Sequence, residues 1–136
     1  MDIDQARAFL RANHRAVLVT IRRDGRPQTS PVATTIDAEG FAVVSSRETA
    51  YKVRQLRRDP RAALCVMNDK FFGEWVQVEG TATIVSLPDA MEGLVEYYRR
   101  VAGEHPDWDD YRAAMERDRR VLIRIAIERA GPTLQG

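Results

Sequence analysis

The chain of 136 residues has one cysteine and two histidines. A single cysteine, Cys65, excludes an intrachain disulfide. Its setting, Ala-Ala-Leu-Cys-Val-Met, reads as a small buried apolar side chain, because a nucleophilic thiol needs an accessible, electropositive neighbourhood. His14 and His105 are far apart in sequence and form no cluster with metal-ligand spacing, and His14, after the first helical stretch, reads as a surface or capping residue. No apolar run approaches the roughly 20 residues that cross a bilayer. The start, Met-Asp-Ile-Asp-Gln, lacks a basic stretch leading into an apolar one, so the expected location is the cytoplasm. There is no Gly-rich phosphate loop, no Gly-x-Ser-x-Gly elbow and no paired-carboxylate motif. An enzyme built on this chain would therefore rely on a bound cofactor for its difficult chemistry.

Apolar residues make up 44% of the chain and charged residues 30%, the balance of a globular protein, and the length suits one domain spanning 1–136. Asp2 is placed to cap a first helix with Ile3, Ala6, Phe9 and Leu10 on one face. Ala16–Arg22 is β-branched and apolar, and Asp24-Gly25 is a hairpin turn returning into a strand over Pro27–Ile36. Further strands are expected over Phe41–Ser46, Arg61–Asn68, Glu74–Val85 and Val121–Glu128, with helices after Thr49, Pro88 and Asp107 and a loop for the last seven residues. In Glu74–Val85 the residues alternate, with Trp75, Gln77, Glu79, Thr81 and Thr83 opposite Val76, Val78, Gly80, Ala82 and Ile84. Six strands at hairpin-like spacings, without βαβ alternation, predict a mainly β (α+β) fold: a small closed or split antiparallel barrel with flanking helices.

The stretch Val43–Pro60 organises the functional reading. An apolar strand ends in Ser45 and Ser46, the chain turns, and a short helix begins near Thr49, which can cap it. A strand feeding a helix start presents free N–H groups and the positive end of the helix dipole, which suit a phosphate, and Lys52 adds an ammonium in the first turn. Between Arg47 and Arg61 six basic side chains face two acidic ones, a local balance of +4 in a chain whose formal charge is +1. Arg54, Arg57 and Arg58 also fit an ordinary solvated helix face.

A second unusual segment is Gly-Arg-Pro-Gln-Thr-Ser-Pro-Val, residues 25–32. Its two prolines cannot donate to a strand ladder and belong at edges, starts or bulges. Gln28 and Ser30, two apart, share one face and suit the polar edge of a planar heterocycle, although an irregular, water-exposed edge strand has the same pattern.

Four blocks together carry a family resemblance: Gly-Arg-Pro-Gln-x-Ser-Pro-Val, Tyr-Lys-Val-Arg-Gln-Leu-Arg-Arg-Asp-Pro-Arg, Val-Glu-Gly-Thr-Ala and Ala-Gly-Glu-His-Pro-Asp-Trp-Asp-Asp-Tyr-Arg. In this order, across residues 8–129, the chain resembles the deazaflavin (coenzyme F420)-dependent branch of the pyridoxamine 5′-phosphate oxidase-like split β-barrel flavoproteins, found mainly in actinobacteria. The resemblance implies a six-stranded FMN-binding-type split barrel and a homodimer with two cofactor sites at the interface. It implies that Arg26, Gln28, Ser30 and Pro31 meet the ring and its linker. Ser45, Ser46, Lys52 and Gln55 would hold the phosphate and the start of the tail, and Trp75 would close the site from the other subunit. The chain departs from relatives at Ala50, often basic, at Gln55, often asparagine, and at Gly73, aromatic in some.

The implied activity is hydride transfer from reduced F420 to a conjugated enone or quinone-like small molecule, with the proton from solvent or from a tyrosine such as Tyr51 or Tyr98. Rival readings are an FMN-dependent flavoprotein of the same fold and a non-catalytic F420-binding protein. A nucleic-acid binder is disfavoured by the near-neutral charge and by the absence of aromatics within Leu-Arg-Arg-Asp-Pro-Arg.

Overall fold

The computed structural model describes residues 1–132. Its elements are α1 (Ile3–Ala12), β1 (Arg15–Ile21), β2 (Pro27–Ala33), β3 (Thr35–Ile36), β4 (Ala42–Arg47), α2 (Tyr51–Arg58), β5 (Arg61–Met67), β6 (Trp75–Val85), α3 (Met91–Ala102), α4 (Trp108–Arg117) and β7 (Arg120–Gly131). Every strand pairing is antiparallel, and the strand order is β2-β1-β5-β6-β7-β4-β3.

The two outermost strands of this order are consecutive in the chain, joined by Thr34 alone. The sheet must curl until its edges meet there. Thr34 ties both edges: its N–H donates to the His14 carbonyl at 2.9 Å and its hydroxyl to the Val43 carbonyl at 3.0 Å, while the side chain is fully buried. The expected strand over Pro27–Ile36 is thus broken at Thr34, which turns six expected strands into seven segments of a split β-barrel. β7 is also longer than expected, taking in Ala130 and Gly131 of the presumed loop; residues 133–136 of that loop lie outside the described residues.

Alternation decides what fills the barrel. Leu18, Val44, Leu64, Val66, Val76, Val78, Ile123 and Ile125 point inward and form one cluster, which α1 joins through Ala6 and Leu10 and α2 through Val53 and Leu56. α1 opens with a capping box between Asp2 and Gln5. The opposite face of β4 and β7 carries Val43 and Leu122, which pack with Ala90, Leu94, Val95 and Tyr111 beneath α3 and α4. Gly103, at φ 88°, ends α3, and Asp107 caps α4 by accepting from the Asp110 N–H. Tyr98, His105, Trp108 and Tyr111 stack with ring centroids 5.0–5.9 Å apart, so the Glu-His-Pro-Asp-Trp block fastens α4 to α3. This leaves Tyr98 a packing role. On β1 and β5, Val17, Val19, Ala63, Cys65 and Met67 face away from the barrel interior and are only half-buried.

β6 bends at a register shift between Glu79 and Gly80. A Cβ at Gly80 would stand 1.8 Å from the Ala126 carbonyl oxygen, so the glycine permits the close approach that curls β6 over β7. No helix of the described residues is long and apolar enough to cross a membrane.

Candidate functional site

Helix α2 carries the polar groups that matter, and its start is bare. The N-cap position is Ala50, one residue beyond the expected Thr49, and no side chain caps it. Val53 and Arg54 N–H groups return to the Ala50 carbonyl, whereas those of Tyr51 and Lys52 have no partner among the described residues. Lys52 is half-buried beside them, and its pKa is pushed down, first by burial and then by the positive charge of Arg120. Uncapped N–H groups, a dipole end and a desolvated ammonium make a cradle for an anion, so the residues present fit a phosphoryl group.

Gln55 follows Lys52 by three positions, about one helical turn. It is buried, its Oε1 accepts from the Thr20 hydroxyl at 2.5 Å, and its Nε2 donates to Gln28 Oε1 at 2.6 Å. Both ends of the amide are engaged, which moves Gln55 from the expected phosphate set to the support of β2. Gln28 and Ser30 share a face, as their registers opposite Thr20 and Leu18 require; Pro31, opposite Val17, lies on the other. Arg26 is exposed in the turn before β2, its N–H held by Asp24 Oδ1 at 3.0 Å.

The two serines separate. Ser46 follows Ala42 and Val44 on the barrel-facing side of β4; it is buried, and its hydroxyl donates to the Arg47 carbonyl at 3.2 Å. Strand alternation therefore puts the Ser45 and Ser46 hydroxyls on opposite faces of β4. Ser45 is half-buried on the other face, where the Tyr97 hydroxyl lies beside its backbone and donates to the Ala33 carbonyl at 2.9 Å. Burial raises the Tyr97 pKa, and the Ser45 backbone and Arg120 oppose that rise.

Much of the basic run is engaged within the chain. Arg57 pairs with Glu48 at 2.8 Å, Arg61 with Asp59 at 2.7 Å, and Arg58 donates to the Ile21 carbonyl at 2.6 Å. Arg54 lies 5.7 Å over the exposed Tyr51 ring. Trp75 opens β6, half-buried, next to the exposed Phe71 and Phe72 of the preceding turn. Gly73 keeps that turn tight: a Cβ there would meet Asn68 Oδ1 at 2.3 Å, the atom that accepts from the Lys70 N–H.

Three residues of this neighbourhood, Thr20, Tyr97 and Arg120, have no motif in the sequence. Thr20 looked like one more β-branched strand residue. Arg120 had a faint signal, a basic residue out of phase with the buried Val121, Ile123 and Ile125, but the strand it lies against, β4, is distant in the chain.

The chain is thus an antiparallel split barrel in which β4 passes to an uncapped α2, an arrangement whose chemistry suits an anion. The family model described as Pyridoxamine 5′-phosphate oxidase matches residues 3–133, and the chain belongs to that family. It is 30% identical over 127 residues to the F420H(2)-dependent biliverdin reductase of Mycobacterium tuberculosis (strain CDC 1551 / Oshkosh), an alignment covering 93% of this chain and 84% of that protein. Among solved structures it is similar to the conserved hypothetical protein Rv2991 of Mycobacterium tuberculosis, with a TM-score of 0.78, 25% identity, and coverage of 96% of this chain and 82% of the other. It also shares its fold with a structure described as F420 Reductase, with a TM-score of 0.70, 21% identity, and coverage of 91% and 94%.

Proposed function

We propose that this protein is an F420H2-dependent reductase acting on a conjugated enone or quinone-like small molecule, as a homodimer with cofactor sites at the interface. The observation that carries the reading is the half-buried Lys52 beside an uncapped helix start, one turn from a glutamine that holds Gln28 on β2. An isolated desolvated ammonium is unfavourable in the free protein, and a phosphoryl group offsets it. Support also comes from the relative named for F420H2 and biliverdin, itself a conjugated acceptor.

Reduced F420, when bound, supplies a hydride from C5 of its ring and little radical chemistry. The chain's own tasks are binding, orientation and exclusion of water. Lys52 and the α2 N–H groups hold the phosphodiester, with Ser45 on the neighbouring strand. Gln28, fixed by Gln55, and Ser30 present amide and hydroxyl groups to the polar edge of the ring, with Arg26 and Pro31 at the two ends of that segment. Trp75 closes the site of the other subunit. The uncovered apolar side chains Val17, Val19, Ala63, Cys65 and Met67 suit burial against a second copy.

The test equilibrates the protein with F420 and FMN together, desalts it and records the absorbance spectrum. Retained F420, followed by reoxidation of F420H2 by a quinone or unsaturated lactone above the protein-free rate, is the expected result. Retention of FMN alone favours a flavoprotein of the same fold. Retention of F420 without single-turnover hydride transfer favours a binding protein.

A further inference from the structure

Thr20, Gln55 and Gln28 form a chain of side-chain hydrogen bonds that runs from a buried hydroxyl to the outermost strand of the sheet. Thr20 on β1 and Gln28 on β2 stand opposite one another in the hairpin ladder, and Gln55 of α2 spans them. The chain of bonds has a direction. The Thr20 hydroxyl donates to Gln55 Oε1 at 2.5 Å, and Gln55 Nε2 donates to Gln28 Oε1 at 2.6 Å. Turning both amides over would keep two bonds, from Gln28 Nε2 to Gln55 Oε1 and from Gln55 Nε2 to the Thr20 oxygen. It would also strand the Thr20 hydroxyl proton, because that side chain is 1% exposed and has no other hydrogen-bond partner among the described residues. A buried donor without an acceptor is the costly arrangement, so the interior end enforces one polarity on the whole chain of bonds.

The consequence falls on the outer end. With its oxygen committed to Gln55, Gln28 has only Nε2 left to offer. That nitrogen has no partner among the described residues, yet it is not a buried unpaired atom, a condition that Arg120 Nε alone has among them. It is therefore open to a ligand. We propose that Thr20 and Gln55 are positioning residues that orient Gln28 as a fixed N–H donor, so that β2 reads a carbonyl, and not a ring N–H, on the polar edge of the bound heterocycle. This rests on the reading of residues 25–32 as the segment that meets the cofactor ring. Ser30, two residues along on the same face, has a hydroxyl that can donate or accept, so it leaves the polarity to Gln28. Flavin and deazaflavin rings carry the same pair of carbonyls on that edge, so the relay governs how the ring is held and not which of the two is chosen.

The experiment titrates the phosphate-free deazaflavin riboside by fluorescence and records the infrared carbonyl bands of the bound ring. A neutral ligand is used so that a charge placed at position 28 does not act on an anionic tail. Gln28→Met removes the donor, whereas Gln28→Glu still accepts from Gln55 but turns an oxygen toward the ring. Gln28→Met is expected to weaken binding about fivefold, the worth of one neutral hydrogen bond, and Gln28→Glu, which sets oxygen against oxygen, about tenfold more. A ring carbonyl band should lie at lower frequency in wild type than in Gln28→Met. Thr20 is too deeply buried to touch the ligand, yet Thr20→Val should move that band toward its Gln28→Met position and Thr20→Ser, which restores the hydroxyl, should return it; a threonine that only packs would leave the band in place. Should Thr20→Val not fold, the order of the Gln28 variants decides alone. Riboside affinity of Gln28→Glu equal to wild type, or a band unmoved by the substitutions at both positions, overturns the proposal and leaves the reductase reading intact. If wild type binds riboflavin and no deazaflavin, the reductase reading falls, and the same order of variants read with riboflavin upholds the relay. Absence of binding of either ring to wild type overturns both.

Discussion

Replacing Gln55 with leucine tests whether the buried amide is the hinge between α2 and β2. Leucine is close in size, so the change is chiefly the loss of two hydrogen bonds, from Thr20 at 2.5 Å and to Gln28 at 2.6 Å. Each is worth about 0.5–1.5 kcal/mol net, and the Thr20 hydroxyl, only 1% exposed, is left without an acceptor at a further cost of about 1–3 kcal/mol. Added apolar burial returns part of this, and the expected net loss is about 2–4 kcal/mol. For a chain of this length that lowers Tm by about 7–14 °C. Urea unfolding followed by circular dichroism measures it. The decisive comparison is the double variant Gln55→Leu/Thr20→Val, in which both partners become apolar and no buried donor is orphaned; it should recover at least about 1 kcal/mol over Gln55→Leu. A double variant as unstable as the sum of the two single variants would refute the reasoning, and so would a Gln55→Leu protein within about 0.5 kcal/mol of wild type.

Lys52→Ala should weaken F420 binding by about 1.5–3 kcal/mol, the worth of a hydrogen bond to a charged partner, whereas Arg58→Ala should cost less than about 1 kcal/mol because Arg58 already serves the Ile21 carbonyl; fluorescence titration of both variants reads the order. Gly80→Ala should destabilise by more than about 3 kcal/mol or prevent folding, since the added methyl meets backbone at 1.8 Å, while Gly93→Ala, opposed at 2.6 Å by the Leu122 side chain, should cost less, as chemical denaturation of the pair would show. Tyr111 has its phenol pushed up to about 12, chiefly by burial and then by Tyr97, so the folded protein keeps a proton that an unfolded tyrosine releases near pH 10. Its contribution is therefore intact below about pH 10 and lost as pH rises through about 12; Tyr111→Phe should flatten that alkaline slope in Tm-versus-pH scans while losing about 1 kcal/mol from the bond to the Leu94 carbonyl at 2.7 Å.

Local signals carried most of the architecture. The Asp24-Gly25 turn, the alternation over Glu74–Val85, the Asp2 cap and the helix that starts after Asp107 depend on neighbours within a few residues, and the structure has each of them. The break at Thr34 was not legible, because its cause is a pair of hydrogen bonds to His14 and Val43 that exist only once the sheet has curled. The shift of the α2 cap from Thr49 to Ala50 has the same character: residue type allowed a cap, and the path of the turn after β4 decided otherwise.

By itself the sequence determined an antiparallel β protein with a basic helical turn after a serine-tipped strand, since hydrophobic period and turn chemistry are written into neighbouring residues. Only the tertiary structure decided which polar groups are consumed within the chain and which remain for a ligand. Gln55 is taken by Thr20 and Gln28, Ser46 turns into the barrel, Arg57 and Arg61 find carboxylates, and Lys52 and the buried Arg120 Nε are left without a hydrogen-bond partner among the described residues. Burial and long-range pairing set those fates, and neither is a property of any short stretch of chain.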